Sequence, residues 1–395
     1  MVDANVFRDA WSIPDDVCYL NHGSFGPTPR VVQAVREEWS RQVAAQPMQF
    51  FVRELDGALD AAAKRLGEFV GADPQDLVFV ENATAAMNIV ANSLPLEPDD
   101  EVLVNDHEYG AVRRTWMYAC SRQKARLVTA QIPPPLRSPD DVVEPLFANV
   151  SDRTKLIVIS HVTSPTALVF PVEEICRLAR ERGIPVCIDG PHAVAMRPLA
   201  LKLLGCTFYC ASLHKWLSAP FGSGFLYVDR KWQLRMSPTM WSWGRSLGGR
   251  PPRWQDEWNW PGTRDPSGYL AVPAAIDFLQ AAGVERFREH SHRLAQLARR
   301  ELESLFGTSA LCADSLDWYG SMITVPLPEG PILREKPNDA DPLQQALWGR
   351  HRIETLMTDW HHRRHLRVSF HLYHDERDVE RLSDALRDLH VDGLW

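Results

Sequence analysis

The chain has 395 residues, 45% of them hydrophobic, and a formal net charge of −8 at pH 7. That length buries a large core and leaves room for one large domain with a smaller one beside it. The acidic balance, with no basic run beyond the Arg-Arg pairs that begin at positions 113, 299 and 363, excludes a general nucleic-acid binder, and those pairs read as solvated surface.

The first eleven residues carry charges and no apolar core, so no secretory signal is expected. No run of about 18 apolar residues predicts a membrane span. Residues 1–73 are expected to form an N-terminal segment that packs with a small C-terminal domain. Residues 74–266 read as a large α/β domain. Short β-rich runs at 77–80, 101–104, 156–159, 185–188 and 225–228 alternate there with helical patterns, which predicts a mainly parallel sheet covered by helices. The helical run that starts at Val172 stops at Gly183, a residue suited to ending a helix. Residues 267–395 read as a smaller α+β domain, with a helical pattern from Ser267 through Phe278, a pause at Gly283, a second helix over 284–305, and strands at 322–325 and 366–370. The Pro- and Asp-rich segment 326–342 predicts an exposed loop. Seven cysteines, odd in number and without CxxC spacing, fit reduced thiols and a cytoplasmic address, and imply no metal site.

Ligands of open α/β sheets bind beyond the carboxyl ends of the strands, so the polar residues after each apolar run carry the chemistry. Lys215, in Ser212-Leu213-His214-Lys215, sits between an apolar run and the strand at 225–228. A buried lysine that loses its proton can form a Schiff base with a carbonyl cofactor. Glu81-Asn82-Ala83-Thr84 opens a helical run and offers amides and a hydroxyl to an anion such as phosphate. Asp189 ends a strand where it can hold a cationic ring nitrogen. Ser160 to Thr166 places hydroxyls and a ring at another strand end, and His107 and Tyr109 offer two rings for stacking on a planar cofactor. Taken singly, each has a plainer reading: Lys215 as a solvated charge, Asn82 or Thr84 as a helix cap, Asp189 as a cap, a lone histidine as structural. Together they describe a site for pyridoxal 5′-phosphate.

In these residues, in the segments 19–29, 161–166, 189–192 and 260–265, and in the run from Arg367 to Tyr373, the chain resembles the class V aminotransferase-fold enzymes over nearly its whole length, and most closely their isopenicillin N epimerase-like branch. The resemblance implies the type I fold of pyridoxal-phosphate-dependent transferases, with a mainly parallel seven-stranded sheet. It implies that Lys215 anchors the cofactor, that Asp189 holds the pyridine nitrogen, that Ala83, Thr84, Ser212 and His214 bind the phosphate, and that Ser164 and His192 lie near the phenolate oxygen. Gly262 and Thr263 match a turn that reaches the phosphate of the other subunit, implying a homodimer with shared sites. Arg367 matches the arginine that takes a substrate carboxylate, and Asn21, His22 and Ser24 fall in the N-terminal motif expected to line the substrate side.

Lys215 is placed to remove the α-proton of an amino-acid substrate, and Tyr109 is a candidate proton donor on the opposite face. Ring stacking by Tyr109 or by His107 stays open. No cysteine occurs over 330–366, where persulfide-forming desulfurases of the family carry their nucleophile. The expected activity is therefore epimerisation at the α-carbon of a bulky amino-acid conjugate in secondary metabolism. C–S β-elimination from a cysteine S-conjugate, or a decarboxylating or deaminating variant, is the alternative, with transamination ranked behind. The cluster Trp241, Trp243, Trp254, Trp258 and Trp260 reads equally as an aromatic substrate wall or as a dimer interface.

Overall fold

A computed structural model describes residues 7–330 and 340–395. Its centre is a seven-stranded sheet of β1 (Leu77–Val80), β2 (Glu101–Asn105), β3 (Arg126–Ala130), β4 (Thr154–Ser160), β5 (Val186–Asp189), β6 (Phe208–Ser212) and β7 (Gly224–Val228), in the spatial order β1-β7-β6-β5-β4-β2-β3. All neighbours are parallel except β7, which runs antiparallel to both β1 and β6. Helices such as Ala83–Ser93, Gly110–Gln123 and Val172–Glu181 connect the strands.

Strands covered on both faces must be apolar throughout rather than alternating. That is why β1, β2, β5, β6 and β7, buried at every residue, were legible as short apolar runs. The edge strand β3 was not: it begins exposed at Arg126 and is only half-buried over 127–129, so it lacks that signature. The helix Val172–Glu181 buries Val172, Ile175, Cys176 and Ala179, one helical face, and Gly183 follows at φ 69°.

The smaller C-terminal unit is an antiparallel sheet of β8 (Met322–Pro326), β9 (Leu356–Trp360) and β10 (Arg363–Ser369), in the order β9-β10-β8. The helices Val284–Phe306 and Glu376–His390 pack on each other, and the former covers the sheet. Strand β9 was unforeseen. It pairs with β10 through a two-residue turn in which His361 and His362 both adopt positive φ, 49° and 59°, the mirror-image turn that suits the twist of a hairpin. Within the supposed loop 326–342, Pro326 and Leu327 are buried and Asp341 caps the helix Pro342–His351; residues 331–339 lie outside the described residues. Cys18–Tyr19 pairs in parallel with Ile353–Glu354, stitching the N-terminal segment to the C-terminal unit.

Two of the arginine pairs were misjudged as surface. Arg299 is buried and donates to the Cys312 carbonyl at 2.8 Å, and Arg364 forms a bidentate pair with the buried Asp341. Only Arg113 and Arg114 are both exposed.

Candidate active site

The carboxyl ends of β4, β5 and β6 bring Ser160, Asp189 and Ser212 to one edge of the sheet, with Ser160 and Asp189 in register. The Asp189 carboxyl is buried and receives no hydrogen bond from the described residues. Burial raises its pKa, and the nearby Lys215 ammonium opposes that rise. Lys215 extends from the loop after β6, its Nζ 2.9 Å from His192 Nε2. Burial, and next the Arg367 charge, lower its pKa, against the attraction of Asp189. The lysine is thereby biased toward the neutral, nucleophilic amine. His192 is buried with its Nδ1 lacking a hydrogen-bond partner among the described residues, and burial keeps the ring neutral.

The end of β6, just before Lys215, meets the start of the helix Ala83–Ser93, and together they offer donors to an anion. The Ser212 hydroxyl accepts from the Ala83 N–H at 2.9 Å, and Asn82 caps the helix Ala83–Ser93 by accepting from the Ala85 N–H at 2.9 Å. The capping reading of Asn82 is therefore right, and it leaves the amide of Thr84 and its exposed side chain at the helix start. The half-buried His214 ring tilts against Phe221, centroids 5.5 Å apart, and its Nδ1 is buried without a partner.

Arg367 lies close enough to Lys215 for its charge to act on the amine. It is buried on β10 and is held by residues from two other segments: Nη1 donates to the Ser164 carbonyl and hydroxyl at 2.6 and 3.1 Å, and Nη2 donates to the Ser24 hydroxyl at 2.7 Å. Burial lowers its pKa to about 10. Ser164, expected beside a phenolate oxygen, braces this guanidinium. Tyr109, at the start of Gly110–Gln123, is 49% exposed and close enough to Arg367 to act on its charge.

Three residues expected at the site are turned to other work. Both nitrogens of His107 are engaged, Nδ1 with the Thr166 hydroxyl and Nε2 with the Ile132 carbonyl, each at 2.8 Å, and its ring is walled in by Trp360 at 4.4 Å. Of the two candidate stacking rings, only Tyr109 stays open. His22 joins the Tyr373 hydroxyl at 2.8 Å to the Lys215 carbonyl at 3.0 Å and stacks on His371 at 4.2 Å, so it supports the lysine loop from behind. Asn21 gives its amide to the Thr355 carbonyl at 3.4 Å. Gly262, at φ 124°, and the exposed Thr263 make no hydrogen bond to Ser212, His214 or Lys215 of the same chain; their neighbour Arg264 pairs with Glu81 at 2.8 Å. The tryptophans divide: Trp254 and Trp258 pack edge-on at 5.2 Å and Trp260 against Phe51 at 5.5 Å, while Trp241 and Trp243 are exposed.

Sequence reasoning passed over Glu108. Its carboxyl is buried beside Asp189 and accepts from Asn105 and Ser160, and burial raises its pKa to about 8. The available signal was a carboxylate three residues past the end of an apolar strand. A cleft of about 1070 Å³ opens elsewhere, at the amino ends of β4 and β5, between Leu94, Lys155, Arg182 and Trp232. The chemistry therefore gathers away from that opening.

The aminotransferase class-V profile matches residues 19–382, and the chain belongs to that family. It lies in the isopenicillin N epimerase-like branch and is a pyridoxal-5′-phosphate-dependent enzyme. It is 36% identical to an isopenicillin N epimerase of Streptomyces clavuligerus, covering 94% of each chain, and 37% identical to one of Amycolatopsis lactamdurans, covering 97% of each. A solved structure of a C-DES mutant with glycine covalently linked to the PLP cofactor superposes with a TM-score of 0.80 at 20% identity, over 95% of this chain and 97% of that one. The fold is the type I fold of pyridoxal-phosphate enzymes. The residues present fit the cofactor: a buried carboxyl, Asp189, that receives no hydrogen bond from the described residues and can take a ring N–H, ring nitrogens on His192 and His214 without a hydrogen-bond partner among the described residues, and the Thr84 amide and hydroxyl at a helix start.

Proposed function

We propose that this enzyme acts at the α-carbon of a bulky amino-acid-containing substrate and inverts its configuration, in the manner of an isopenicillin N epimerase, within secondary metabolism. The observation that carries the reading is the pairing of two basic side chains of different kinds in one site: Lys215, biased to a neutral free amine, and Arg367, a fixed guanidinium cation.

In this reading Asp189 holds the pyridine nitrogen, while Thr84, Ser212 and His214, with the helix start at Ala83, hold the phosphate. Bound pyridoxal phosphate supplies an electron sink for negative charge at the α-carbon. Arg367, aligned by Ser24 and Ser164, grips the substrate carboxylate in two places and so fixes which bond at the α-carbon faces Lys215. The Lys215 amine takes the α-proton, and the Tyr109 hydroxyl returns one from the opposite face. The exposure of Tyr109 and its closeness to Arg367 support that role and also leave it free to stack on the ring.

Gly262 and Thr263 serve the phosphate of a second copy in a homodimer; the exposed Thr263, Trp241 and Trp243 support a face that a partner covers. A cytoplasmic location is supported by seven buried, unpaired cysteines.

The purified protein should absorb visible light through its bound cofactor, and Lys215→Ala should remove that band. Incubation with an amino-acid conjugate in deuterated water should give α-deuterated product of inverted configuration. Pyruvate and free thiol from a cysteine S-conjugate, without inversion, would replace epimerisation by β-elimination.

A further inference from the structure

The Glu108 carboxyl is bonded in an asymmetric way. Oε1 faces two nitrogen donors, Asn105 Nδ2 at 2.5 Å and the Ser160 N–H at 2.8 Å, whereas Oε2 has a single partner, the Ser160 hydroxyl at 2.6 Å. Nitrogen donors demand an acceptor, so Oε1 is the carbonyl-like oxygen; a hydroxyl both donates and accepts, so Oε2 can carry a proton and give it to Ser160. Glu108 is 4% exposed, and the charged group that acts on it is a carboxylate, not a cation. The carboxyl whose charge acts on it is Asp189, whose register partner is the same Ser160.

The other titratable groups of this corner are already committed. Asp106 accepts from the Ile132 N–H at 3.0 Å and meets His361 at 2.6 Å; His107 is bound by Thr166 and Ile132; His161 faces the Tyr209 hydroxyl at 3.0 Å. When protonated, Lys215 is the cation that acts on Asp189, and its charge then favours ionisation of that carboxyl first; Glu108 has no such cation among the influences on it. Two buried carboxyls that act on each other's charge do not both ionise at neutral pH.

We propose that Glu108 and Asp189 form a buried carboxyl pair that holds one proton, carried on Glu108, so that Asp189 remains the single anion offered to the cofactor ring. Glu108 is then a positioning residue: it ties Asn105, at the end of β2, to Ser160, at the end of β4, without placing a second negative charge beside Asp189 at the end of β5. The consequence for the ring rests on Asp189 holding the pyridine nitrogen; the proton itself does not, and is read on cofactor-free protein.

Infrared spectra of the cofactor-free chain at pH 7 should show the carbonyl stretch of one buried protonated carboxyl. The band should vanish in Glu108→Gln, persist in Asp189→Asn, and disappear from the wild type by about pH 10, well past the ordinary carboxyl range. Absence of the band from the wild type at pH 7, or its loss in Asp189→Asn with survival in Glu108→Gln, overturns the assignment. Should Glu108→Gln fail to fold, the wild-type titration and Asp189→Asn decide the matter.

Discussion

Arg367 and Lys215 show how residue chemistry and residue placement divide the work. Arg367 makes three hydrogen bonds through two nitrogens, a geometry that only the planar guanidinium offers. Arg367→Lys keeps the positive charge but loses the fork, with a cost of about 1.5–3 kcal/mol for bonds to a charged group. The expected result is a rise in KM of about 10- to 100-fold with a smaller change in kcat, measured by steady-state kinetics on any turned-over amino-acid conjugate. An unchanged KM would remove Arg367 from substrate binding. His107 and Tyr109 teach the complementary lesson: they are two residues apart and both aromatic, so composition offers no choice between them, yet one has both nitrogens bound and the other is half-exposed. The face a loop residue presents depends on neighbours from distant segments, here Thr166, Ile132 and Trp360.

The N-terminal loop meets the lysine loop at Gly26. Its N–H donates to the His214 carbonyl at 3.0 Å, and an added Cβ would lie 2.5 Å from the Lys215 carbonyl oxygen and 2.6 Å from that of His214. Those are backbone atoms, so neither can swing away. Gly26→Ala should cost about 1–3 kcal/mol, the range for forced overpacking, and should also weaken cofactor binding by displacing Lys215. Thermal unfolding and a pyridoxal-phosphate titration check both effects, and wild-type values in each would show that the close approach is dispensable. The run from residue 19 to 29 was visible as a motif, but its task was not: His22 and Gly26 support the lysine loop, and of its expected substrate residues only Ser24 reaches Arg367. Strands β3 and β9 escaped notice for one shared reason, since partly exposed edge strands carry too few apolar residues to announce themselves.

Across the whole molecule, buried neutral histidines set the acid limit of stability. His22, His161, His192 and His371 are all buried, and burial lowers the pKa of each, to about 3 for His161 and His371. Below about pH 6.5 the unfolded chain binds protons at these positions and the folded chain does not, so stability falls as pH falls, by about 1.4 kcal/mol per unit for each histidine. Glu108 acts oppositely: with its pKa raised to about 8, it stabilises the folded form at low pH, and that contribution is lost as pH rises toward 8. Denaturant melts of the cofactor-free protein should therefore show a steep loss of stability between about pH 6.5 and 5 and a shallower decline on the alkaline side. A flat acid limb would mean that these rings are charged in the folded state.

Local chemistry was enough to identify the sheet, its helices and the cofactor, and to single out Lys215 as the candidate anchor, because continuous apolar strands and the polar residues ending them depend on short stretches of chain. Tertiary structure alone decided which residues work together. Arg367 joins Ser24 and Ser164, and Glu108 joins Asp189, across separations of up to 343 positions that no local pattern encodes. Burial is likewise a property of the assembled fold, and it biases Lys215 toward the free amine and raises the pKa of Glu108.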